Sequence, residues 1–387
     1  MSSSQYTSFY QMILSLVNFV CFFLLSNAWI VTGKQVIISN VLPRLDINGN
    51  IVNAHDGCLV KFNKTYFMYG TVYDECHQST TICDGICGYI NNTFALYTSS
   101  DLVSWTLISN NIVPEITKDN SYINYWMPNV GYNLRTKQYV MIYWSSRYGY
   151  KNSFVALAVS STPYGPFINV RPLEMQGGKI ISDTTNLFVD DDDNTAYVRY
   201  NTRDQPLRHI VEKLSSDWMS TTGQYSIIFQ KDDFPWYNGG GMFKRKEFYY
   251  TMLSFDCCFC QWGSDARIYR SNKILGNWTY LGQLNYCADG GAPPEHLKDI
   301  TINPCSIDDP YGTNFTVPAH QVNVATLSIS STETVHLYYG ERFRSSQDGL
   351  KAHDFQTWLP IQFIDLCIQP LRFFNNFTLN IDVEFET

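Results

Sequence analysis

A short tyrosine-rich pattern recurs five times along the chain. In each copy, a short strand-like run rich in tyrosine follows a polar turn. Aromatic residues favour pleated, partly buried strands, so each copy predicts a β-strand. The copies occupy residues 63–69, 137–143, 194–200, 246–252 and 334–339.

Each copy has further strand-like stretches on either side. A more apolar stretch precedes every copy, at residues 58–60, 129–131, 187–189, 242–243 and 322–324, and a third stretch follows three of them, at 94–97, 155–158 and 266–269. No stretch has the period of a long amphipathic helix, and no Gly/Ser- or Pro-rich linker divides the chain. Repeated small sheets of this kind predict an all-β fold, a five-bladed β-propeller, in one domain over residues 29–387. The acidic run 190–193 lies between two predicted strands, which indicates a hairpin turn rather than a calcium site.

The amino-acid composition agrees with an all-β fold, and the net charge limits the classes of binding partner. Of the 387 residues, 45% are hydrophobic and 16% aromatic, with 27 Tyr and 24 Phe. The formal net charge of −8 argues against nucleic acid and against an anionic membrane surface, because both require basic patches. An uncharged polar ligand fits better.

The N-terminus predicts export. Residues 12–25 are almost continuously apolar, and Ser26-Asn27-Ala28 is typical of a cleavage site, so residues 1–28 read as a signal peptide of a secreted protein. The first 11 residues contain no Lys or Arg. The alternative is an uncleaved anchor continuing to Val31, about 20 residues, which would leave a membrane-anchored propeller in the lumen or outside the cell.

Sequons and cysteines also favour an oxidising compartment. Glycosylation sequons stand at Asn63, Asn91, Asn277, Asn314 and Asn376. Of the 11 cysteines, Cys21 lies in the leader, and the remaining ten include the clusters 76–87 and 257–260. Their spacing does not match a common zinc finger, so disulfides are expected, with the pairing left open.

Several motifs resemble those of glycoside hydrolase family 43, in the branch of galactan 1,3-β-galactosidases. They stand in order at residues 54–57, 128–133, 187–192, 242–245, 274–278 and 358–360, so the resemblance covers about residues 52 to 363. The Cys-rich stretch 257–261 is similar to a eukaryotic subgroup of this branch. The resemblance implies a five-bladed propeller that acts on or binds β-linked galactose- or arabinose-type glycans, with a carbohydrate partner and no cofactor.

Propeller geometry indicates where a sugar would bind. The innermost strand of each blade lines the central channel, so the residues that open these strands should face one pocket. They supply amides, imidazoles and an aromatic ring, which suit sugar hydroxyls and apolar sugar faces. The predicted substrate-binding residues are His55, Trp126, Thr184, Asn186, Asn238 and His320.

The chain departs from the family at the positions that carry chemistry. Glycoside hydrolysis normally needs two carboxylic groups on either side of the scissile bond. Where the relatives have Glu on the second and fourth inner strands, this chain has Trp126 and Asn238. Thr184, preceded by Asp183, stands where relatives have Asp, and Gln321 matches a Gln of the relatives that is proposed to act as base or to orient water.

Three hypotheses follow. In an active, inverting glycosidase, Asp56, Asp183 or Glu341 would replace the acid, with a pKa raised by burial, and Gln321 would position the water. In a lectin-like pseudoenzyme the pocket would persist without the chemistry, and Gly239–Gly241 would open extra room. In a structural or interaction propeller the pocket would be vestigial and the outer loops would carry the function, an alternative that a channel filled by Trp126 and Trp236 would favour. No carboxylate cluster argues for a metal.

Overall fold

The computed structural model describes residues 31–78, 87, 92–116, 124–147, 151–178, 181–202, 204, 206–231, 237–255, 261, 263–285 and 315–384. At residues 31–32, 151, 181–183, 231, 237–238, 255 and 383–384 it describes the backbone alone. The predicted signal peptide (1–28), Cys83, Cys257, Cys258, Cys260, Cys287, Cys305, Asn91, Asn314 and Trp236 lie outside the described residues.

Five antiparallel sheets, each built from consecutive strands, form the blades. Blade 1 contains β2 (His55–Phe62), β3 (Thr65–Thr71), β4 (Phe94–Ser99) and β5 (Thr106–Ser109). Blade 2 contains β6 (Asn124–Asn133), β7 (Gln138–Arg147), β8 (Lys151–Ser160) and β9 (Ile168–Leu173). Blade 3 contains β10 (Ile181–Val189), β11 (Ala196–Thr202), β12 (Leu207–Leu214) and β13 (Thr221–Lys231). Blade 4 contains β14 (Tyr237–Arg245), β15 (Phe248–Phe255), β16 (Arg267–Ser271) and β17 (Thr279–Gln283), and blade 5 contains β18 (His320–Ser328), β19 (Thr334–Arg342) and β20 (Phe355–Pro360).

The tyrosine-rich repeat corresponds to the second strand of each blade. Its five copies fall on β3, β7, β11, β15 and β19, and the preceding apolar stretches fall on the inner strands β2, β6, β10, β14 and β18. Each inner strand packs against the inner strand of the next blade, and β18 packs against β2, which closes the ring. The predicted five-bladed all-β propeller is therefore confirmed, as is the turn at residues 191–193.

A two-stranded ribbon joins the two ends of the described chain outside the blades. It pairs β1 (Val31–Ser39) with β23 (Asn376–Glu384) in antiparallel register. Asn40 attaches this ribbon to blade 5: its Nδ2 donates to Trp358 O at 2.8 Å and its Oδ1 accepts from Trp358 N at 2.9 Å. A second small pair, β21 (Phe363–Ile364) with β22 (Cys367–Ile368), follows blade 5, and Lys351–His353 form one 3₁₀ turn.

Large aromatic side chains fill the space within and between the blades. Trp105, Trp144, Trp218 and Trp358 are fully buried. Trp105 of blade 1 meets Trp358 of blade 5 edge to face, with ring centroids 6.1 Å apart. Such rings bury much apolar area each, so they account for a large part of the stabilisation where the ring of blades closes.

Four of the cysteines and three of the five sequons lie in the described part of the chain. Cys76 and Cys87 form a disulfide, whereas Cys58 is a buried thiol and Cys367 an exposed one. The three described sequon asparagines, Asn63, Asn277 and Asn376, are all exposed. Within the described ranges there is no helix with the length and apolar character needed to cross a membrane.

Candidate functional site

All five inner strands carry a β-bulge close to their first residues. The pairing register shifts between His55 and Cys58, Trp126 and Asn129, Ile181 and Thr185, Asn238 and Gly241, and Gln321 and Asn323. A bulge bends its strand and re-aims the side chains beside it. We call these five irregularities the bulge ring, and all ten residues predicted for the site except Glu341 lie in it or within one position of it.

Two asparagines of the bulge ring meet across the axis. Asn323 on β18 donates from Nδ2 to Asn129 Oδ1 on β6 at 2.9 Å and to Gly57 O on β2 at 3.2 Å. Asn129 in turn donates from Nδ2 to Met127 O at 2.8 Å and to Thr185 O on β10 at 3.2 Å. This asparagine pair therefore ties four blades together across the axis.

The cavity found along the axis lies on the other side of the asparagine pair. It has a volume of about 280 Å³ and is lined by later residues of the inner strands, among them Leu59, Val130, Leu187, Met242 and Val324. None of the ten residues predicted for the site lines it. The bulge ring and this cavity are therefore neighbours along the axis, because Cys58, Asn129 and Asn323 belong to both.

His55, Asp56 and Glu341 are brought together at the junction of blades 1 and 5. His55 Nδ1 lies 3.0 Å from Glu341 Oε2, and the backbone N–H of Asp56 donates to Glu341 Oε1 at 2.9 Å. The other ring nitrogen of His55 lies 3.2 Å from Ala352 O, and its ring stacks on Tyr73 with centroids 4.3 Å apart. Both oxygens of Glu341 are therefore engaged in holding the start of β2.

The carboxyl group of Asp56 is the candidate acid. Burial and, next, the negative charge of Glu341 raise the pKa of Asp56 from 3.8 to about 8, against the opposing effect of Lys351. Its backbone has a left-handed φ of +48°, an uncommon and strained conformation that tends to occur at functional sites. At neutral pH this carboxyl group is mostly protonated and can donate a proton.

A buried ion pair supports this corner of the ring. Lys351 Nζ lies 3.1 Å from Asp354 Oδ2, with both side chains fully inaccessible, and 3.9 Å from the centroid of the Phe343 ring. Burial lowers the pKa of Lys351. Lys351 was not found from the sequence, because a lysine between two strands carries no signal that it will be buried beside Asp354.

His320 and Gln321 open the inner strand of blade 5. Both are buried, and His320 pairs in register with Glu341 across β18 and β19. Burial, assisted by the charge of Lys351, lowers the pKa of His320 to about 4, so its ring is neutral at physiological pH. Gln321 donates from Nε2 to Asn323 O at 3.4 Å, and its Oε1 has no partner among the described residues.

The aromatic and small polar candidates are also buried in the ring. Trp126 stacks on Trp144 with centroids 4.9 Å apart. Thr184 and Asn186 lie on β10, and neither amide atom of Asn186 has a partner among the described residues. The side chains of Asp183 and Asn238 lie outside the described residues; Asp183 lies on β10, and Asn238 on β14 pairs with Ser254.

The three glycines of β14 do not open room. A Cβ on Gly239 would lie 2.7 Å from Gln321 Oε1, and one on Gly240 would lie 2.9 Å from Arg199 Nε. A Cβ on Gly241 would lie 2.6 Å from the carbonyl carbon of Asn323. The expectation of extra space was wrong, because neighbouring blades already fill it and only glycine fits there.

Arg199 is a second residue of this region that the sequence analysis missed. It lies on β11, is fully buried, and donates to Gly239 O while contacting His209 Nδ1. A signal was available, since a lone charged residue inside an otherwise apolar, tyrosine-rich strand is unusual. Within the described ranges no group of His, Cys, Asp and Glu side chains could hold a metal ion.

Fold and site together define a five-bladed β-propeller with a polar ring at one end of its axis. The sequence model of glycosyl hydrolases family 43 matches residues 50–284, from just before the first strand of blade 1 to the end of blade 4. This is more than half of the chain, and the chain belongs to this family. No curated protein sequence matches it.

Solved structures agree on the fold. A family 43 β-1,3-galactosidase superposes with a TM-score of 0.65 at 21% identity, covering 89% of this chain and 64% of that chain. An exo-β-1,3-galactanase from Clostridium thermocellum gives 0.64 at 22% identity, over 89% and 67% of the two chains. One from Phanerochaete chrysosporium with galactose gives 0.64 at 18% identity, over 91% and 71%. The present chain thus spans about two thirds of these proteins.

Proposed function

We propose that this family 43 propeller binds a β-linked galactose- or arabinose-type glycan at the bulge ring. The observation that carries the proposal is the set of buried amide atoms there without a partner among the described residues: both amide atoms of Asn186, and Oε1 of Gln321. Buried polar groups normally find partners, so these atoms suit sugar hydroxyl groups. The structural neighbours support the sugar type, since their names specify β-1,3-galactosidase and exo-β-1,3-galactanase, one of them with bound galactose.

Binding is favoured over hydrolysis by the residues that replace the family carboxylates. Trp126 and Asn238 carry an indole and an amide where the family has carboxylic groups. Neither group can donate a proton to a departing sugar. Glu341 is a poor substitute because both of its oxygens already accept hydrogen bonds from blade 1.

Calorimetric titration tests this proposal. The purified chain is titrated with β-1,3-galactobiose, β-1,3-galactotriose and arabino-oligosaccharides, and at least one is expected to bind. Asn186→Ala should weaken binding roughly tenfold, the effect of one or two lost hydrogen bonds. The exposed Asn380→Ala is the matched control and should bind as the parent does. Failure of every glycan to bind would refute the proposal.

Hydrolysis is a second candidate, supported by the protonated Asp56. In this mechanism the Asp56 proton passes to the glycosidic oxygen as the bond to the anomeric carbon breaks. A water positioned by Gln321 forms the new carbon–oxygen bond from the opposite face, with inversion, and its surplus proton goes to solvent while Asp56 is reprotonated.

Product release measures this second candidate. Galactose or arabinose should appear from oligosaccharides, with a rate that falls as pH rises through about 8, the pKa of Asp56. Asp56→Asn should abolish release yet keep binding, because the amide is nearly isosteric. No turnover by the parent over a broad glycan panel rules out this candidate and leaves the binding proposal standing.

We propose also that the chain is exported and glycosylated. The disulfide Cys76–Cys87 and the exposed sequon residues Asn63, Asn277 and Asn376 support this location, since disulfides persist mainly in oxidising compartments. Expression in a eukaryotic host followed by glycan removal should lower the apparent mass. An unmodified chain retained in the cytosol would contradict the proposal.

A further inference from the structure

The guanidinium of Arg199 is a buried cation that no buried anion matches among the described residues. Its side chain is completely inaccessible, and its contacts are the carbonyl oxygen of Gly239 and Nδ1 of His209. Within the described part of the chain no carboxylate pairs with it, and burial alone lowers the pKa of Arg199 to about 9. Burying an unpaired charge is expensive, so a protein that retains one needs a compensating partner.

This cation lies at the bulge ring. The backbone of Gly240 packs directly on the guanidinium, and a Cβ there would be 2.9 Å from Nε. On the far side of the same bulge, Gly239 lies against Gln321, since its Cβ would be 2.7 Å from Oε1. Two glycines therefore separate Arg199 of blade 3 from Gln321 of blade 5.

The polar atoms around this bulge are poorly satisfied. Arg199 Nε, both amide atoms of Asn186, and Gln321 Oε1 have no hydrogen-bond partner among the described residues. Asn186 pairs in register with Arg199 across β10 and β11, so the two side chains project to the same face of blade 3. Together they offer N–H donors, amide acceptors and one full positive charge.

The same position of the repeat is uncharged in blades 1, 2 and 4. Aligning the tyrosine-rich copies places Met68, Ile142 and Thr251 where blade 3 has Arg199. Apolar or small residues fill this position in a second strand, so the fold itself does not require a cation there. A residue that costs stability is commonly retained for a function.

We propose that the glycan bound at the bulge ring is acidic, and that its anionic group, a uronic acid carboxylate or a sulfate ester, pairs with Arg199. The inference rests on the proposed sugar-binding function and specifies the ligand class. A neutral sugar can satisfy Asn186 and Gln321 with hydroxyl groups, but it leaves Arg199 uncompensated. A planar guanidinium matches a carboxylate or sulfate through paired N–H···O contacts.

Three matched disaccharides test the inference by calorimetry. They are β-1,3-galactobiose, the same sugar with C6 of the terminal galactose oxidised to a carboxylate, and the same sugar carrying a 6-sulfate. At least one acidic form should bind roughly ten- to hundredfold tighter than the neutral form, the effect expected of a charge-assisted pair. The tighter of the two acidic forms identifies the anion.

Variants of Arg199 separate recognition from structure. Arg199→Met should bring the affinity for the acidic sugar down to that for the neutral one. Arg199→Lys should keep part of the advantage, because the charge remains without the planar fork. Without ligand, Arg199→Met should melt at or above the parent temperature, since an unpaired buried charge is gone.

Other outcomes overturn the inference in distinguishable ways. Equal affinity for neutral and acidic sugars contradicts the acidic ligand and leaves the proposed sugar binding intact. No binding of any of the three overturns both. A lower melting temperature or loss of folding in Arg199→Met, together with an unchanged preference in Arg199→Lys, would make Arg199 a structural residue.

Discussion

Asn323 and Asn129 meet across the propeller axis, Nδ2 of the first donating to Oδ1 of the second at 2.9 Å. They belong to blades 5 and 2, which are not neighbours in the ring. The same Nδ2 also donates to Gly57 O of blade 1, at 3.2 Å. A single side chain thus fixes the spacing of three blades at the depth where the bulge ring ends.

Removing that side chain should loosen the whole ring. Asn323→Ala leaves Gly57 O and Asn129 Oδ1 buried without their donor, and the expected loss in the free energy of unfolding is about 2 kcal/mol. Urea denaturation measures it, with the exposed Asn380→Ala as control, which should change stability little. A loss no larger than that of the control would show that water replaces the asparagine.

Glycine at position 239 is required by both backbone and neighbours. Its φ is +65°, and a Cβ would lie 2.7 Å from Gln321 Oε1. Gly239→Ala should therefore cost about 3 kcal/mol, combining left-handed strain with overpacking. The control is Gly223→Ala, with φ of +75° and nothing within 4 Å, which carries the strain alone and should cost about 1 kcal/mol. Equal losses would mean that blade 5 yields to the new side chain.

The blades could be predicted from the sequence because they are built from hairpins. Strands such as β10 and β11 are joined by a short acidic turn. The pattern of residues 187–200 alone is therefore enough to predict that they pair. The ribbon of β1 and β23 could not be predicted in this way. Its pairing of Val31 with Glu384 joins the two ends of the described chain, and no local pattern indicates it.

The candidate site was predictable in outline and not in its contacts. His55, Asp56 and Glu341 were each named, but their meeting depends on blade 5 closing onto blade 1. Arg199 was missed for the same reason, since its burial results from the packing of blade 3 against the glycines of blade 4. Contacts between residues of different blades cannot be predicted from the sequence of a single blade.

The raised pKa of Asp56 should make the folded protein less stable as the pH increases. The folded state binds this proton more tightly than the unfolded chain does, so stability falls as pH rises from about 4 to about 8 and levels off above. Asp56→Asn removes this dependence, and Asn tolerates the left-handed backbone. Melting temperatures from pH 5 to 9 should therefore decline less steeply in the variant. Parallel curves would place the raised pKa elsewhere.

Buried neutral histidines should limit stability on the acid side. Burial lowers the pKa of His320 and of His336 to about 4. Below pH 6.5 these histidines therefore bind protons in the unfolded chain but not in the folded state. Stability is then lost as pH falls from about 6.5 to 4. His336→Gln should flatten the loss in urea unfolding measured across this range, whereas the exposed His77→Gln should leave it unchanged. A slope that is unaltered in both variants would assign the acid loss to other groups.

The charge of Glu341 should influence the titration of Asp56, which gives a sharp test of the contacts at the junction of blades 1 and 5. The charge of Glu341 is the second cause, after burial, of the raised pKa of Asp56. Glu341→Gln removes that charge while an amide oxygen can still accept from Asp56 N, so the pKa of Asp56 should fall towards its ordinary value. The difference in stability between Asp and Asn at position 56 should then develop at lower pH in the Glu341→Gln background than in the parent.

The matched control for this cycle is Glu333→Gln, an exposed carboxylate in the turn before β19, where no such displacement is expected. Glu341→Gln should also lower stability at pH 5 by about 2 kcal/mol, because a charge-assisted contact with His55 is lost. Measuring the same loss in the Asp56→Asn background separates it from the titration of Asp56. A shift in the titration of Asp56 without a loss of stability at pH 5 would mean that Glu341 acts on Asp56 only through its electric charge. A loss of stability at pH 5 without that shift would mean that Glu341 serves only to hold His55 in place.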